Sequence, residues 1–327
     1  MRAQPATSSS AMRLARLIGG RIISAMITLC LVAVVVFTIS AILPGDAAQE
    51  MLGQSATAEQ VAALRKEMGL DKSPPERFVR WASAIVQGDP GMSMVANMPV
   101  RDVIADRLPN SLRLAALATL VAVPLALFIG IFSAMRRGRG IDRTLSVVML
   151  ALVALPEFLV ATIAVLIFSV KLRWLPAITI IAPDQSWGEF FRAYAMPVMV
   201  LTIVVIAQIA RMSRAAVIDQ MRQPYVEMAV LKGLSPSTIV LRHVLPNALG
   251  PIVNAMALSL SYLMGGAIIV ETIFNYPGLA SLMVNAVTSR DMPLLQACAM
   301  IFCTAYLLLM LLADICAILA NPRLRHA

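Results

Sequence analysis

The chain has 327 residues, of which 59% are hydrophobic and only 14% charged, against a globular norm of about 25% charged. Its apolar residues fall in long runs, so it is counted in membrane spans rather than in the two soluble domains its length would allow. The formal charge of +9 needs no nucleic acid, because a positive-inside bias and contact with anionic lipid account for it.

In chain order, residues 1–21 form a cytoplasmic leader, and its first eleven, with Ser8, Ser9 and Ser10, read as disordered. Ile22–Leu43 carries no charge and is about 33 Å long as a helix at about 1.5 Å per residue, which matches a bilayer core of about 30 Å. It exceeds the roughly 7–15 apolar residues of a signal peptide, and no Ala-x-Ala site follows it. The extracytoplasmic segment, residues 44–113, holds a helix over Ala58–Gly69 with Val61, Leu64 and Met68 on one stripe. After Ser73-Pro74-Pro75 a second helix runs over Glu76–Gln87 with Phe78, Val79, Trp81 and Ile85, and Gly88–Gly91 is a turn.

The core, residues 114–320, supplies the other spans: Leu114–Met135, Thr144–Val170, Ala193–Ala210, Val244–Val270 and Met292–Ala313. Residues 321–327 are a cytoplasmic tail. The fold class is therefore all-α and polytopic, with six transmembrane helices and a small extracytoplasmic helical segment after the first. Lys and Arg in the short loops set its orientation. Arg2, Arg13, Arg16, Arg21, Arg136, Arg137, Arg139, Arg143, Arg211, Arg214, Arg222, Lys232, Arg242, Arg323 and Arg325 fall on one side. The other short loops hold Lys171, Arg173, Arg192 and Arg290, offset by Asp184, Glu189 and Asp291. Both termini are thus expected in the cytoplasm.

The most informative polar stretch is the cytoplasmic loop over residues 211–243 with its continuation to Pro246. Tyr225–Lys232 reads as a short helix that stops at Gly233, where a positive φ is expected. Ser235-Pro236 is a helix start, with a capping side chain followed by the position where proline costs little. Two short helices joined at a glycine make an elbow that another protein can grip.

No catalytic set is visible. His243 and His326 are the only histidines, and no G-x-x-x-x-G-K-[ST] occurs, so the chain has no phosphate loop for ATP. Cys30, Cys298, Cys303 and Cys316 all fall in spans and read as packing, with neither metal-site nor disulfide spacing. Glu157 follows Pro156 inside the third span, about 18 Å deep at about 1.5 Å per residue. An ionised acid there costs about 2.5–3.5 kcal/mol on insertion scales, so it faces a protein interior or water. It is either a pathway residue for a positive group or an acid that holds two spans together. Glu271 and Arg290 flank the last outer loop as gate candidates or helix caps, and Asp314 is placed to pair with a cytoplasmic arginine. Pro124 and Gly265-Gly266 mark kinks or close helix approach.

Several motifs occur in order. Glu227-Met228-Ala229, Gly233 and Leu245-Pro246 follow the pattern E-A-A-x-x-x-G…I-x-L-P, with Met228 and His243 as departures. Leu43-Pro44-Gly45-Asp46 (then Ala47, usually proline), Gly69-Leu70-Asp71, Glu271–Leu279, Arg290-Asp291 and Asn321–Arg325 accompany them. Over Met12 to His326 the chain resembles the permease subunit of ATP-binding-cassette importers of the dipeptide/oligopeptide/nickel class. The resemblance implies a type I importer permease fold in a bacterial inner membrane and import of di- or oligopeptides. It also implies a second homologous permease, two cytoplasmic ATPases, an extracytoplasmic binding protein, and no cofactor on this chain, since ATP would sit on the partner subunits. Tyr225, Glu227, Ala229, Lys232, Gly233, Leu245 and Pro246 then belong to the ATPase-coupling loop. The alternative is an ion- or proton-coupled carrier with Glu157 as its coupling residue, against which no internal repeat of span pairs is visible. Reporters fused after Arg325 and at Gly138 are expected to read cytoplasmic and one at Gly53 extracytoplasmic. A C-terminal fusion that reads outside overturns the six-span arrangement.

Overall fold

The computed structural model describes residues 7–42, 56–67, 71–182 and 184–320. The motif stretches 43–47, 69–70 and 321–325, and with them Met68 and the tail, lie outside the described residues. Among the described residues the chain is helical, with one isolated antiparallel bridge, Met92 to Pro99.

Helix α1 spans Thr7–Ile42. It takes in Ser8, Ser9 and Ser10, so the unstructured leader expected up to residue 11 is corrected from Thr7 onward. Small hydroxyl residues suit a helix start, where orphan N–H groups need acceptors. Helices α2, Ala58–Glu67, and α3, Pro74–Val86, form close to the bounds expected within residues 44–113. Helix α4 spans Val100–Met135, so its charged first turns run ahead of the apolar span predicted from Leu114.

The third span is not one helix. Helices α5, Gly140–Ala154, and α6, Glu157–Ala164, meet at a 99° bend, and a wide-turn segment, Val165–Lys171, follows α6. Proline explains the break. Pro156 has no N–H and disfavours the helical region for the residue before it, and Leu155 is accordingly extended at φ −77, ψ 128. The depth assigned to Glu157 from a straight helix is therefore withdrawn.

Helix α7, Trp187–Met221, opens with a capping box in which the Ser186 hydroxyl accepts from the Glu189 N–H and the Glu189 carboxylate accepts from the Ser186 N–H. Helix α8 is Pro224–Leu231. Pro236–Thr238, the wide turns Ile239–Val244 and α9, Leu245–Ile273, run on as one candidate span, Pro236–Ile273. Helix α10, Leu279–Thr288, was not anticipated, and α11 is Met292–Ala320. Five helices among the described residues are long and apolar enough to cross a membrane, six with the bent pair counted as one span.

Two compact units divide the chain. One centres on Leu112–Tyr276, with the described parts of Met1–Ala25 and Tyr306–Ala327. Its main contact is α7 against α9. A stripe of small residues at every fourth position of α4, Ala118, Ala122, Ala126, Gly130 and Ala134, is buried. Lipid is as apolar as the side chains, so helices in a bilayer are held by close van der Waals approach, which small residues permit. Gly130 is where approach is tightest: a Cβ there would lie 2.6 Å from the Ala210 carbonyl oxygen and 3.2 Å from the Arg214 nitrogen on α7. The pairing expected for Asp314 is present, with Arg21 Nη1 3.2 Å from its Oδ2.

The other unit combines Met26–Ser111 with Pro277–Ala305. Phe37 of α1 packs with Phe78 and Trp81 of α3 at ring-centroid distances of 5.4 and 5.6 Å. Asp291 is fully buried, accepting from the Ser93 hydroxyl, the Val95 N–H at 3.4 Å and the Leu294 N–H at 3.3 Å. It therefore caps α11 and braces the Met92–Pro99 turn, rather than serving as a loop charge. Cys298 is buried in this unit's core and Cys303 half-buried, whereas Cys30 and Cys316 are exposed on their helices, so packing holds for only part of the cysteine set.

Gly130→Val should push two backbones apart, at about 1–3 kcal/mol for overpacking, and lower the thermal midpoint of the purified protein. Gly19→Ala, with nothing within 4 Å, should leave it unchanged or raise it, since glycine inside a helix costs about 0.5–1 kcal/mol relative to alanine.

Candidate functional site

The elbow forms as the residues dictate. Pro224 stands in the first turn of α8, and Lys232 caps its end. Gly233 has φ +74; its N–H bonds the Val230 carbonyl at 2.9 Å, and the Leu234 N–H reaches the Ala229 carbonyl at 3.3 Å. This is the hydrogen-bond pair of a Schellman terminus, where glycine avoids a Cβ clash. The Ser235 hydroxyl accepts from the Thr238 N–H at 3.3 Å, which starts the next helix as predicted. That second helix is not short, however. It continues into the span Pro236–Ile273, so a turn of four residues, Lys232 to Ser235, separates α8 from a helix long and apolar enough to cross a membrane.

Pro246 explains the wide turns. It cannot donate to the carbonyl one turn back, and i→i+5 bonding before it absorbs the mismatch. The Asn247 side-chain amide donates to the His243 carbonyl at 2.7 Å.

Helix α8 has two faces. Val226 and Ala229 are buried with Ala134, Val217, Ile218, Ile239, Val244, Ala248 and Ile252, and Leu245 packs against this cluster. Ala229 thus braces the helix and does not face outward. The other face is bare: Glu227 and Lys232 are exposed, and so are Met228 at 56%, Val230 at 58% and Leu231 at 80%. The Tyr225 hydroxyl donates to Gln220 Oε1 at 3.0 Å, and burial pushes its phenol up, opposed by a hydrogen bond with Asn247.

Glu157 is the first residue of α6, half-buried at the break in its span. Its carboxylate lies over the backbone of Gly266 on α9, where a Cβ would fall 2.7 Å from Oε2 and 3.0 Å from Oε1. Non-helical backbone at membrane depth is tolerated only inside protein or beside water. Gly266 was predicted as a point of close approach and is one. Gly265 meets nothing within 4 Å.

Glu271 is fully buried near the end of α9. The turn after it is pinned by the Tyr276 N–H on the Glu271 carbonyl at 2.8 Å and the Thr179 N–H on the Phe274 carbonyl at 2.8 Å. Tyr276 is also fully buried and donates to the Tyr194 hydroxyl at 3.3 Å. Burial first, then that hydrogen bond, holds its phenol well above the usual range. Arg290, with φ +56, terminates α10: its N–H bonds the Val287 carbonyl, and the Asp291 N–H bonds the Ala286 carbonyl. Its position is that of the C′ residue, as the helix-cap reading expected.

Sequence reasoning missed Asp142. This residue is 4% exposed and accepts from the Ser133 hydroxyl at 2.6 Å, the Gly138 N–H at 3.0 Å, and Arg214 Nε and Nη2 at 2.7 and 2.9 Å. The available signal was an acid four residues after the Gly138 turn, inside an arginine-rich loop.

Residues 126–326 match the family described as "Binding-protein-dependent transport system inner membrane component", and residues 14–115 match "Binding-prot-dependent transport system membrane comp, N-term". The chain belongs to this family of transport permeases. It is 31% identical over 306 residues to the "Probable peptide ABC transporter permease protein y4tP" of Sinorhizobium fredii, covering 94% of this chain and 98% of that one. It is 35% identical over 306 residues to the "Glutathione transport system permease protein GsiC" of Escherichia coli K12, covering 94% and 97%. A chain of the MetNI methionine ABC transporter in inward-facing conformations aligns with 68% of this chain and 94% of its own length, with TM-score 0.48 and 17% identity. Family membership makes the chain a multi-pass ABC transporter permease rather than an enzyme, and it does not favour the ion-coupled carrier.

Because the Glu157 carboxylate ends a flexible side chain, Gly266→Ala should re-aim it at little cost in stability. Gly266→Ala and Glu157→Gln should then change transport by the assembled permease in the same way, and the double variant should be no worse than either. Additive losses would show that the two residues act separately.

Proposed function

We propose that this permease forms half of the translocation pathway of an ATP-driven, binding-protein-dependent importer of di- or oligopeptides, tripeptides such as glutathione included. The two-faced helix Pro224–Leu231 carries this reading: its inner face is sunk in the membrane domain and its outer face is bare and apolar. A surface helix joined to a transmembrane helix by a turn of only four residues, Lys232 to Ser235, transmits force, and a partner must cover its outer face. The names of the similar proteins, one for peptides and one for glutathione, support the substrate class.

In this reading a second homologous permease completes the pathway. Two cytoplasmic ATPase subunits hold the ATP and grip the outer faces of the coupling helices, and an extracytoplasmic binding protein delivers substrate. The chain itself binds no cofactor and sits in the bacterial inner membrane with both termini cytoplasmic. Glu157 is the pathway residue for a substrate's positive group. Glu271 and Arg290 act as supports of the outer end rather than as a moving gate, one by burial and the other by ending a helix.

Glu227→Lys reverses a charge on the outer face, and Gly233→Val forces a β-branched residue into left-handed backbone at about 1–2 kcal/mol. Both variants should insert normally and lose ATPase co-purification and transport at least about tenfold, the equivalent of 1.4 kcal/mol. Full transport with the ATPase bound normally in both would place the coupling contact elsewhere.

A further inference from the structure

The buried acid Asp142 and its partners connect three chain segments that meet at the cytoplasmic end of one unit. Ser133 belongs to the last turn of α4, Gly138 to the turn between α4 and α5, and Arg214 to α7. The carboxylate takes one hydrogen bond from each of the first two and two from the third, at 2.6, 3.0, 2.7 and 2.9 Å. A bidentate pairing fixes orientation as well as distance. Gly138 has φ +81, so the turn that offers its N–H relies on a glycine. One turn back along α4, Gly130 meets the α7 backbone at Ala210 and Arg214. The ion pair and the close crossing therefore fasten the same two helices at neighbouring points.

This fastening joins the coupling helix. Ala134 follows Ser133 directly, and Val217 and Ile218 follow Arg214 by three and four positions, on the same side of α7. All three are buried in the cluster that takes Val226 and Ala229 from α8. A force on the outer face of α8 thus meets a block made of α8, the end of α4, the start of α5 and the end of α7. A buried ion pair is a poor source of net stability, because apolar replacements of similar volume are often as stable. Its fixed geometry is what an apolar patch lacks.

We propose that Asp142 is a positioning residue for coupling: with Arg214, Ser133 and Gly138 it locks α4, α5 and α7 to the inner face of α8, so that ATPase movement at α8 is delivered undiminished to α5 and the broken span carrying Glu157. The proposal rests on the reading of Pro224–Leu231 as the coupling helix.

Pulsed electron-paramagnetic-resonance distances test it in the complete transporter, with spin labels at Gln223, which caps the start of α8 outside its bare outer face, and at Val147 on α5, both exposed. Distances are taken without nucleotide and with ATP trapped by vanadate. In the otherwise native protein the distance should hold, its change staying well under the ~5.4 Å of one helical turn. In Asp142→Asn, with the ATPases still co-purifying, it should shift or broaden on ATP trapping, and transport of labelled trialanine should fall at least about tenfold. A large shift in the native protein overturns the rigid block without reference to any variant. An Asp142→Asn protein with native distances and transport overturns the role of the carboxylate, and one that no longer assembles with the ATPases makes it a folding residue only. If Glu227→Lys and Gly233→Val also bind ATPase normally, the coupling-helix reading fails first. If they do not, a negative result at Asp142 concerns the lock alone.

Discussion

The approach of α4 and α7 at Gly130 is the constraint on which the larger unit depends. Between helices in a bilayer there is no gain from removing apolar surface from water, so association rests on contact distance and on internal hydrogen bonds. Each small residue in the Ala118-Ala122-Ala126-Gly130-Ala134 stripe brings another turn of α4 into contact. Where the two backbones come closest, even a methyl group has no room. The Asp142 carboxylate can then span from Ser133 to Arg214, because helices held farther apart would not place both donors within hydrogen-bond reach of one side chain.

The elbow at Gly233 has a different logic. Its helix α8 has eight residues, too few to persist alone in water. It exists because Val226 and Ala229 are buried against the membrane domain and because Pro224 and Gly233 define its ends. The same arrangement leaves Met228, Val230 and Leu231 unburied. Because the span Pro236–Ile273 starts directly after Ser235, α8 is joined to it through a four-residue turn in which Gly233 takes left-handed backbone.

Buried polar groups do structural work at both ends of the chain's spans. Asp291 caps α11 and ties down a turn of the outer segment within its own unit. Arg290 and Asn275 take left-handed backbone that usually falls to glycine, and each is held there by the paired hydrogen bonds of a helix terminus. Residues in the most recognisable outer motif, Phe274 and Tyr276 among them, are fully buried, so that motif records packing and helix termination.

By itself the sequence determined the helical class, the spans and the elbow. Long charge-free runs have one stable solution in a bilayer, and Gly233 and Ser235-Pro236 act through local backbone geometry that neighbours do not alter. Pairing of Asp314 with an arginine was also legible, since both charges had to find the same membrane face. Pro156 makes the break legible in principle, but hydropathy continues through a 99° bend and marks only one span over Thr144–Val170. Only the tertiary structure decided which small residues touch backbone, which of many loop arginines meets Asp142, and that Glu157 lies on Gly266. Those contacts join residues far apart in the chain, as with the 72 positions between Asp142 and Arg214. Side-chain chemistry alone sets no preference among equivalent partners; distance does, and distance is fixed only when the helices pack.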